Sequence, residues 1–562
     1  MHRAGLPARL GLLRALSLVT LGLGLGSELL AQSAGAPPLG QDPAQIQRQR
    51  EELERQRLQR PGTAPETAPK LSATPAPKLA GPTSSASFML RKVEIGASHV
   101  LTREELAAAV EPQLNRPTTF ADVQALVQRI NALYFERGHL TARALVPAQK
   151  VQDGLLKIQL VEATLARIDM PEQTRLSADF VRGVIATKPG ELINVPLIGE
   201  RLERMHRGSD TRLALSFAPA EDEQAVGQSV ISVQIAEPQK WTGRLSLSNE
   251  GNASVGKNLL SFNGGLNNLL GFADRLNLLA IYSKGSSSAN LQFSAASGPY
   301  GTRNNFGLSV GKTKTMTGAA NDLVVDGGSR GLNFGVSQPL ALWQGLGGSW
   351  ALEGAGTLSD SRSDTRIAGE LFSDVNSFSL AAALTLSRQS VGSSLSSSLT
   401  LSRVNTEAAH LEARNSVLTQ VSFYAYQELA ERWSLQGHGQ AQYTQDANLP
   451  STLQMQIGGA ASVRGFSAPT AAGDRGGSAS LELHRQFELT FAGPASLDAF
   501  AFVVAGRVRT EGRASVILSS VGLGLNLHQS VWSLSASVAA PRKTAAAPLA
   551  STEFYLRLSA DL

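Results

Sequence analysis

The sequence predicts a transmembrane antiparallel β-barrel of about 16 strands, preceded by two small α+β domains. Three observations predict this fold class. From Trp241 to Leu562, short segments alternate polar and apolar residues, and clusters of Gly, Asn, Asp and Ser separate them. The N-terminus has the organisation of a secretory signal. After that signal, no segment approaches the ~20 consecutive apolar residues of a membrane helix, so a mature chain that spans a membrane must form a closed barrel.

Residues 1–33 form the predicted signal peptide. Three arginines lie among the first 14 residues, an apolar stretch covers residues 15–30, and small residues follow at 31–33. We expect cleavage near Ala31 or Ser33. The alternative is an N-terminal membrane anchor, which the short and glycine-rich apolar stretch disfavours.

The composition fits a barrel and excludes several kinds of site. Charged residues make up only 17% of the 562 residues, and Ser, Asn, Gln and Thr supply most of the polarity, as alternating barrel strands require. The absence of cysteine excludes disulfides, thiol catalysis and cysteine metal sites. The net charge of +5 is small and indicates no nucleic-acid partner. Scattered histidines without paired ligand spacing indicate no metal site, and we expect no cofactor.

Residues 34–60 contain a polar helix, and residues 61–87 form a proline-rich linker. Asp42 is a suitable N-cap, Pro43 suits the first helical turn, and the following Gln, Arg, Glu and Leu residues favour helix. The apolar residues of this helix are too few for a stripe that faces a core, so it belongs either in water or in a polar lumen. Six prolines between residues 61 and 83 predict a semi-extended linker.

Two successive α+β units occupy residues 88–164 and 165–239. In the first unit we predict a strand in FMLRKVEI, a helix after the N-cap Thr102, a longer amphipathic helix in FADVQALVQRINALYFERG, and strands in HLTARALVP and GLLKIQLVE. The second unit repeats this order more weakly, from LARIDM to SVISVQIAEP, which indicates tandem copies of one domain. An exposed sheet edge in such a unit can capture an extended peptide by strand addition.

Residues 240–562 form the predicted barrel. A strand that crosses the bilayer needs about 10 residues, and about 20 with its turn, so this region holds roughly 16 strands. The final segment, FYLRLSADL, places apolar residues on one face at every second position, as expected of a strand that closes a barrel against lipid. A soluble β-sandwich is the alternative, but it would need a denser aromatic or branched core.

Several segments resemble, in order, one known family. YFERGHLTARALVPAQKVQDGLLKIQLVEA resembles the signature of the first POTRA domain in two-partner secretion transporters, the TpsB proteins, which include the haemolysin and filamentous-haemagglutinin secretion or activation barrels. LSNEGNASVGKNLLSFNGGLNNLLGFADRLNL resembles the first barrel hairpin of that family, and IGGAASVRGF resembles the tip of its sixth extracellular loop. His139 and Ala163 depart from the signature, which usually has an aromatic residue and a glycine there.

The resemblance implies a function and a location. The two α+β units would be periplasmic POTRA domains that bind an unfolded TpsA-type partner exoprotein, and the barrel would export it across the outer membrane of a Gram-negative cell. The N-terminal helix and an inward-folded loop would partly fill the pore. The implied partners are this exoprotein, outer-membrane lipid, and the barrel-assembly machinery for the insertion of the chain itself. The sequence contains no GxxxxGK[ST] motif for a nucleotide, in agreement with export without nucleotide hydrolysis.

The resemblance also identifies a candidate site at the loop tip, which consists of Val463, Arg464, Gly465 and Phe466. In the family, the arginine of this tip packs against the inner barrel wall and holds the loop inside. A guanidinium suits this role because its planar donors can hold a carboxylate in two hydrogen bonds.

The usual wall partner of this arginine is the aspartate of a Phe-x-Asp motif, and the sequence departs from it. Phe502 matches the phenylalanine, but Val504 replaces the acid. Because an uncompensated buried charge is costly, we expect another acid, and Glu482 is the candidate, since a charge in a barrel strand should face the lumen. The alternative is a loop that is held more weakly.

The POTRA signature provides a second set of candidate residues, Pro147, Gln149, Gly154 and Glu162. We interpret them as framework residues, with the adjoining strand edge as the contact for the partner. For Gly154 a purely structural role is preferred, because Asp-Gly is a common turn pair.

Three other functions are alternatives to export. A barrel-assembly factor of the same superfamily usually carries three or more POTRA units, and this chain has room for two. A passive porin or adhesive barrel would not need 150 residues of α+β sequence. An exported enzyme finds support only in the GxSxG match at residues 327–331, which we place in a turn region and not in the strand-turn-helix of a nucleophile elbow. We therefore expect no enzyme.

Overall fold

The computed structural model describes residues 42–58, 70–73, 87–139, 142–147, 149–220, 227–316, 324–408, 413–490, 493–542 and 551–562. The predicted signal peptide and most of the proline-rich linker lie outside these residues. Helix α1 covers Pro43–Leu58, and the amide of Ala44 donates to the carboxylate of Asp42 at 3.0 Å, in agreement with the predicted N-cap. Among the described residues, no helix is both long enough and apolar enough to cross a membrane.

The first α+β unit begins with a strand that is broken where the sequence predicted continuity. The N–H groups of Arg91 and Lys92 both donate to the carbonyl of Gly154, at 2.9 and 3.1 Å, so the chain turns at Arg91 and its two halves join different sheets. Leu126, Ile130 and Tyr134 are fully buried against these sheets. The elements are β2 Phe88–Leu90, β3 Lys92–Ile95, α2 Arg103–Val110, β4 Arg116–Thr118, α3 Phe120–Glu136, β5 Arg143–Leu145 and β6 Leu155–Val161.

Both helices of this first unit begin with reciprocal caps. Thr102 and Glu105 form one capping box, and Thr119 and Asp122 form the other, so side chains satisfy N–H groups that a helix start leaves unpaired. Strand β6 lies in the middle of a three-stranded sheet, parallel to β3 and antiparallel to β5. Strand β5 is therefore an edge of this sheet.

The second α+β unit acquires a strand from the linker. Its elements are β7 Thr164–Asp169, α4 Ala178–Ile185, α5 Val195–Gly208, β8 Arg212–Pro219 and β9 Gln228–Ala236. Strand β1, Lys70–Ala73 of the linker, pairs in parallel with β8, which gives the sheet order β1-β8-β9-β7. The sequence predicted only a semi-extended linker here. Four residues without periodicity carry no strand signal, and the pairing depends on the edge that β8 offers.

The remaining 16 strands form a closed barrel, as predicted. Each is antiparallel to its neighbours. The strands are β10 Trp241–Ser248, β11 Leu259–Asn267, β12 Arg275–Ser283, β13 Ser286–Ser297, β14 Thr302–Met316, β15 Val324–Gly345, β16 Gly348–Ile367, β17 Glu370–Ser390, β18 Ser393–Ala408, β19 Arg414–Ala430, β20 Trp433–Tyr443, β23 Arg475–Leu489, β24 Ala495–Arg509, β25 Val516–Gln529, β26 Trp532–Pro541 and β27 Glu553–Asp561. A short hairpin inside the loop after β20 consists of β21 Met455–Ile457 and β22 Ala471–Gly473.

Most outward-facing side chains of the barrel strands are apolar, and most inward-facing ones are polar. In β27, Phe554, Leu556 and Leu558 are exposed, and so is Leu562 directly after it, as the period-two pattern predicted. We call the end of the barrel that carries the α+β units the near end, and the opposite end the far end. All five tryptophans of the chain lie at near-end strand termini, which is typical of an aromatic girdle at a membrane boundary.

The barrel closes where β10 meets β27, and we call this junction the seam. Five residue pairs form it, from Arg244 opposite Asp561 to Ser248 opposite Arg557. At the near end, Arg244 holds Asp561 through two hydrogen bonds of 2.5 and 3.1 Å. At the far end, Lys257 lies 3.3 Å from Glu553. The seam is therefore held by ion pairs at both ends.

The second α+β unit and the barrel share one hydrophobic core. The first near-end turn of the barrel places Phe272 edge-on against Phe180 of α4, with ring centroids 6.4 Å apart, and Ala273 is buried in the same cluster. The amide of Ser177 donates to the carbonyl of Gly271 at 3.0 Å. Gly271 has φ +86°, a left-handed conformation that glycine adopts without strain. This packing fixes the second unit to the barrel.

Candidate functional site: the filled barrel lumen

Helix α1 lies inside the barrel and contacts strands β14, β15 and β16. From the sequence, the polar side chains of this helix suited water and a polar lumen equally. In the structure, they face polar side chains of the wall. Ser363 donates to Asp42 at 3.0 Å, and Arg50 donates to Ser286 at 3.1 Å and to Ser283 at 2.9 Å. Because hydrogen bonds and not apolar contacts hold most of this interface, α1 can leave it without exposing a large apolar surface.

The sequence predicted a turn for the GxSxG segment at residues 327–331, and this prediction is wrong. The segment lies inside the continuous strand β15, beside helix α1. The hydroxyl of Ser329 donates to the side-chain oxygen of Gln47 at 2.8 Å. A Cβ added to Gly327 would lie 2.8 Å from Pro43, and one added to Gly311 on the adjacent strand would lie 3.0 Å from Gln47. These glycines are therefore consistent with the close approach of helix and wall.

The long loop between β20 and β23, residues 444–474, also folds into the lumen. The buried carboxylate of Asp474 accepts hydrogen bonds of 2.9 Å from the amides of Asn448 and Leu449, and these bonds fix the base of the loop. The hydroxyl of Ser451 donates to Asp42 at 2.6 Å, and Gln456 donates to the side chain of Gln45. Loop and helix thus contact each other and together fill part of the lumen.

The tip of this loop packs its apolar side chains against the inner wall. Val463 is fully buried and Phe466 nearly so, in a cluster with Phe502, Val504 and other wall residues. A Cβ added to Gly506 of β24 would lie 2.8 Å from Val463, so a larger residue at this wall position would push the tip away. The amide of Gly465, at φ +90°, donates to the hydroxyl of Tyr555 at 3.0 Å.

Arg464 at the tip forms an ion pair with Glu482 of β23, the acid that the sequence singled out. Its guanidinium also donates to the hydroxyl of Ser480 at 3.1 Å and lies 3.6 Å from the ring centroid of Phe502. The hydroxyl of Ser520 donates to the carbonyl of Arg464. Both members of the ion pair are largely buried, with 12% and 8% of their side-chain surfaces exposed. Such a pair holds the loop because separating it would leave a buried charge uncompensated.

A histidine extends this ion pair along the wall toward the near end. The ring nitrogens of His484 face two carboxylates, with Nε2 at 3.2 Å from Glu482 and Nδ1 at 2.9 Å from Asp498. Asn526 donates to Asp498 at 3.0 Å. Two ionised carboxylates only accept hydrogen bonds, so this geometry fits a ring that carries a proton on each nitrogen. The negative charge of Glu482 is then shared between Arg464 and His484.

Val504 occupies the position where a Phe-x-Asp motif would place its acid, and its role here is apolar. It is buried in the cluster that holds Val463 and Phe466. The acid on the same strand is Asp498, which lies six positions earlier and reaches the arginine only through His484 and Glu482. Val504 therefore packs against the tip, and Glu482 carries the charge opposite Arg464.

Two family models match the chain. The model described as haemolysin secretion/activation protein ShlB/FhaC/HecB matches residues 227–527, which is more than half of the chain. The chain belongs to this family. The model described as ShlB-type POTRA domain matches residues 88–163, which cover the first α+β unit.

Two transporters match parts of the chain. The outer membrane transporter CdiB of Dickeya dadantii is 26% identical over 188 residues, which are 34% of this chain and 33% of CdiB. The heme/hemopexin transporter protein HuxB of Haemophilus influenzae is 26% identical over 308 residues, 52% of this chain and 50% of HuxB. The chain thus spans between a third and a half of these relatives in alignment. The structure of CdiB from Escherichia coli superposes with a TM-score of 0.68 at 21% identity, over 92% of this chain and 96% of that one.

In this ShlB-type POTRA domain, the carboxylate of Glu162 accepts hydrogen bonds from four donor groups. It accepts from the hydroxyl of Tyr134 at 2.9 Å, from the amide of His99 at 2.9 Å, from the His99 ring at 3.0 Å, and from Ser98. Burial alone would raise the pKa of Glu162, but these hydrogen bonds together lower it below its usual value. Burial raises the pKa of Tyr134, which keeps its hydroxyl a donor. Glu162 therefore ties the loop at residues 96–102 to helix α3.

The other signature residues of the POTRA domain have separate places. Gln149 brackets the backbone of Lys157, with its amide donating at 2.7 Å and its oxygen accepting at 2.9 Å. Gly154, at φ +73°, supplies the carbonyl that turns the chain at Arg91. Pro147 is exposed between β5 and Gln149. The structure therefore gives Gln149, Gly154 and Glu162 internal contacts, and it leaves Pro147 at the surface.

Several lumenal residues escaped the sequence analysis. Tyr555 was detectable, because the outward apolar face of the last strand implies that the alternate positions face the lumen. His484 and Asp498 lie on lumen-facing positions of neighbouring strands, but their meeting depends on strand register, which the sequence does not specify. Ser520 and Ser480 are two among many serines of the barrel, and no sequence signal separates them from the others.

Proposed function

We propose that this chain is the outer-membrane translocator of a two-partner secretion system. In this proposal, its POTRA domains bind an unfolded TpsA-type exoprotein in the periplasm, and the barrel exports it. The near end faces the periplasm and the far end faces the exterior. The signal peptide directs the chain to the periplasm, and the barrel-assembly machinery inserts it.

The observation that carries the proposal is a polar lumen filled by two removable parts of the same chain. Side-chain hydrogen bonds hold helix α1 to the wall, and an ion pair together with the apolar contacts of Val463 and Phe466 holds the loop at residues 444–474. A cavity of about 1320 Å³ remains beside them, and serines, threonines and glutamines of β18, β19 and β20 form much of its lining. These uncharged polar side chains suit the passage of an unfolded chain, and charged residues such as Arg388 and Arg557 also line the cavity.

Strand addition is the proposed mode of capture in the periplasm. Among the described residues, β5 of the first POTRA domain pairs with no strand other than β6, and the amide of Ala144 in β5 donates to the side chain of Asn131 at 2.7 Å, so an incoming strand would have to displace this side chain. In the second unit, the corresponding edge of β8 is occupied by β1 of the linker. An incoming chain that replaces β1 would pull on the segment that leads to helix α1, so capture and opening of the lumen are coupled in this proposal.

The energy for export would come from folding of the exoprotein outside the cell. Each segment that folds at the far end can no longer slide back, so export proceeds without a nucleotide. The exported partner would be a large secreted protein. The neighbouring gene would identify it, because the lumen of this barrel does not specify one partner.

The direct test deletes this chain in its native host and follows the exoprotein encoded beside it. We expect the exoprotein to accumulate in the periplasm and to reappear outside when the wild-type chain is restored. A chain with Arg464→Ala should restore export only weakly at the same level of folded barrel. Export that continues at a normal rate without the chain would contradict the proposal.

A further inference from the structure

Strand β23 carries an outward-facing arginine at each boundary of the apolar band. At the near end, the guanidinium of Arg485 lies 5.1 Å from the ring centroid of Trp433 and 5.0 Å from that of Phe487. At the far end, the guanidinium of Arg475 lies 5.7 Å from the ring centroid of Tyr443. The ten positions between the arginines span about 25 Å along the barrel axis, for a rise of ~3.3 Å per residue and a tilt of ~40°.

This distance places Arg475 relative to the two boundaries of the membrane. Outer-membrane barrels have an apolar band ~25 Å tall with aromatic girdles at both boundaries. If Arg485 and Trp433 mark the inner boundary, Arg475 and Tyr443 mark the outer one. Arg475 therefore lies at the headgroup level of the outer leaflet.

Two further outward arginines lie beside Arg475. Arg509 of β24 is directly opposite Arg475 across the strand pair, and Arg507 follows on the same face two positions nearer the apolar band. Both are exposed. Like charges directly opposite each other in a sheet are destabilising, so the pair of Arg475 and Arg509 is unexpected unless an anion lies between them. We call Arg475, Arg507 and Arg509 the arginine cluster.

Within the described residues, the cluster has an excess of positive charge that only one acid offsets. Glu511 lies 3.1 Å from Arg475, with half of its own side chain exposed. Among the described residues, Arg507 and Arg509 have no ion pair or side-chain hydrogen bond. Elsewhere on the outward surface, Arg362 lies 2.6 Å from Asp374 and Arg366 lies 2.7 Å from Asp364, whereas the exposed Arg330, which is directly opposite Arg362, and Arg403 have no ion pair with a described residue.

We propose that the arginine cluster binds phosphate groups of the anionic glycolipid in the outer leaflet. The inference rests on the outer-membrane location in the proposed function, but not on the export of a partner. A guanidinium presents planar donors that match two phosphate oxygens, and a phosphate between Arg475 and Arg509 would replace their repulsion by two attractive contacts. Below the cluster, Val503 and Leu483 point outward from the same two strands and would contact the acyl chains.

The test measures binding of diphosphoryl lipid A to the full-length mature protein in detergent. We expect the double variant Arg507→Gln with Arg509→Gln to bind at least tenfold more weakly than the wild type, because charge-assisted hydrogen bonds to phosphate are lost. The wild type should also bind lipid A without phosphates at least tenfold more weakly. Inorganic phosphate should compete only at concentrations far above those of the lipid.

Arg403→Gln is the matched control. Arg403 is also outward-facing and exposed, ten positions from the near end of β18, but its cross-strand neighbours are Leu380 and Val417 and not arginines. Its loss should change lipid A binding less than twofold. An equal loss in this control, or unchanged binding in the double variant, would overturn the proposal.

Two further measurements, one on a single variant and one on export, distinguish a failure of the arginine cluster from a failure of folding or of the proposed function. The single variant Arg509→Gln removes the opposed pair and should fold as a heat-modifiable barrel even if the double variant does not, and it should still weaken lipid A binding several-fold. If wild-type protein binds lipid A but exports no partner, the proposed function falls and the arginine cluster stands. If export is normal and lipid A binding shows no dependence on the cluster, the reverse holds.

Discussion

Ser329 of the barrel wall donates a hydrogen bond of 2.8 Å to Gln47 of the helix inside the lumen. The two residues are separated by more than 280 positions in the sequence. This contact and those of Arg50 join α1 to three different barrel strands, and we propose that the helix is a removable plug retained by a small number of polar contacts.

Removing these contacts should open the lumen. In the double variant Gln47→Ala with Arg50→Ala, three hydrogen bonds to the wall are lost, which weakens retention of the helix by about 3 kcal/mol, or about two orders of magnitude in its equilibrium. We expect a higher single-channel conductance of the purified protein in planar bilayers. Arg48→Ala is the control, because Arg48 makes no hydrogen bond to a described barrel residue. Equal conductance of the two variants would contradict the proposed retention.

The ion pair at the loop tip should be coupled energetically. Glu482→Ala leaves the guanidinium of Arg464 buried without its acid, which costs about 3–5 kcal/mol. We expect loss of the loop from the wall, a lower thermal midpoint and weak export. The double variant Arg464→Ala with Glu482→Ala should be less destabilised than the sum of the single variants.

Glu488→Gln on the same strand serves as the control for this cycle, because Glu488 is exposed near the end of β23. It should leave the thermal midpoint and export unchanged. Strictly additive effects of the two loop-tip substitutions would show that Arg464 and Glu482 do not stabilise each other.

The linker strand should protect the edge of the second POTRA unit. Leu71→Pro with Ser72→Pro removes two N–H groups from β1, and proline cannot donate to the neighbouring strand. We expect faster amide hydrogen exchange in β8, measured by mass spectrometry on the full-length protein, and stronger binding of unfolded partner segments. Thr63→Pro, in the same proline-rich segment but outside β1, should leave the exchange of β8 unchanged. Unaltered exchange in the double variant would remove β1 from the mechanism.

The first POTRA domain should loosen at acidic pH. The pKa of Glu162 is lowered in the folded chain, so its stabilising contribution is complete above the usual value of 4.5 and is lost as the pH falls through the folded value. The protection factors of residues 96–102, which correct the measured exchange for its intrinsic pH dependence, should fall as the pH is lowered from about 6 to about 3. Glu162→Gln should lower these protection factors at neutral pH, with a loss of about 1–3 kcal/mol, and should remove their pH dependence. A wild-type profile that is flat over this range would contradict the assignment.

Much of the architecture could be predicted from periodicity. Alternation at every second position identified the barrel and the lipid-facing side of its last strand, because burial on one face of a strand imposes that period. The same reasoning pointed to Glu482, since a carboxylate in a barrel strand belongs in the lumen. Its pairing with Arg464 could not be ranked above a more weakly held loop, because the sequence does not specify which strand positions meet the loop tip.

Other features depend on contacts that no local pattern encodes. The position of α1 could not be decided, because a helix that is polar all round suits water and a lumen equally. The glycines around Ser329 were interpreted as a turn, although they lie in a strand that approaches a helix closely. The break at Arg91 depends on the carbonyl of Gly154, more than sixty positions later. Such relationships follow only from the assembled fold.

The seam has a consequence for the nature of the cargo. Arg244 with Asp561 and Lys257 with Glu553 secure both ends of the joint between the first and last barrel strands, so parting the wall would break two ionic contacts as well as the backbone ladder. In the proposed export, a passenger would therefore be enclosed by a continuous wall and would leave along the barrel axis into water. We expect natural passengers to be hydrophilic polypeptides. A segment that is hydrophobic enough to partition into the bilayer should stall inside the barrel.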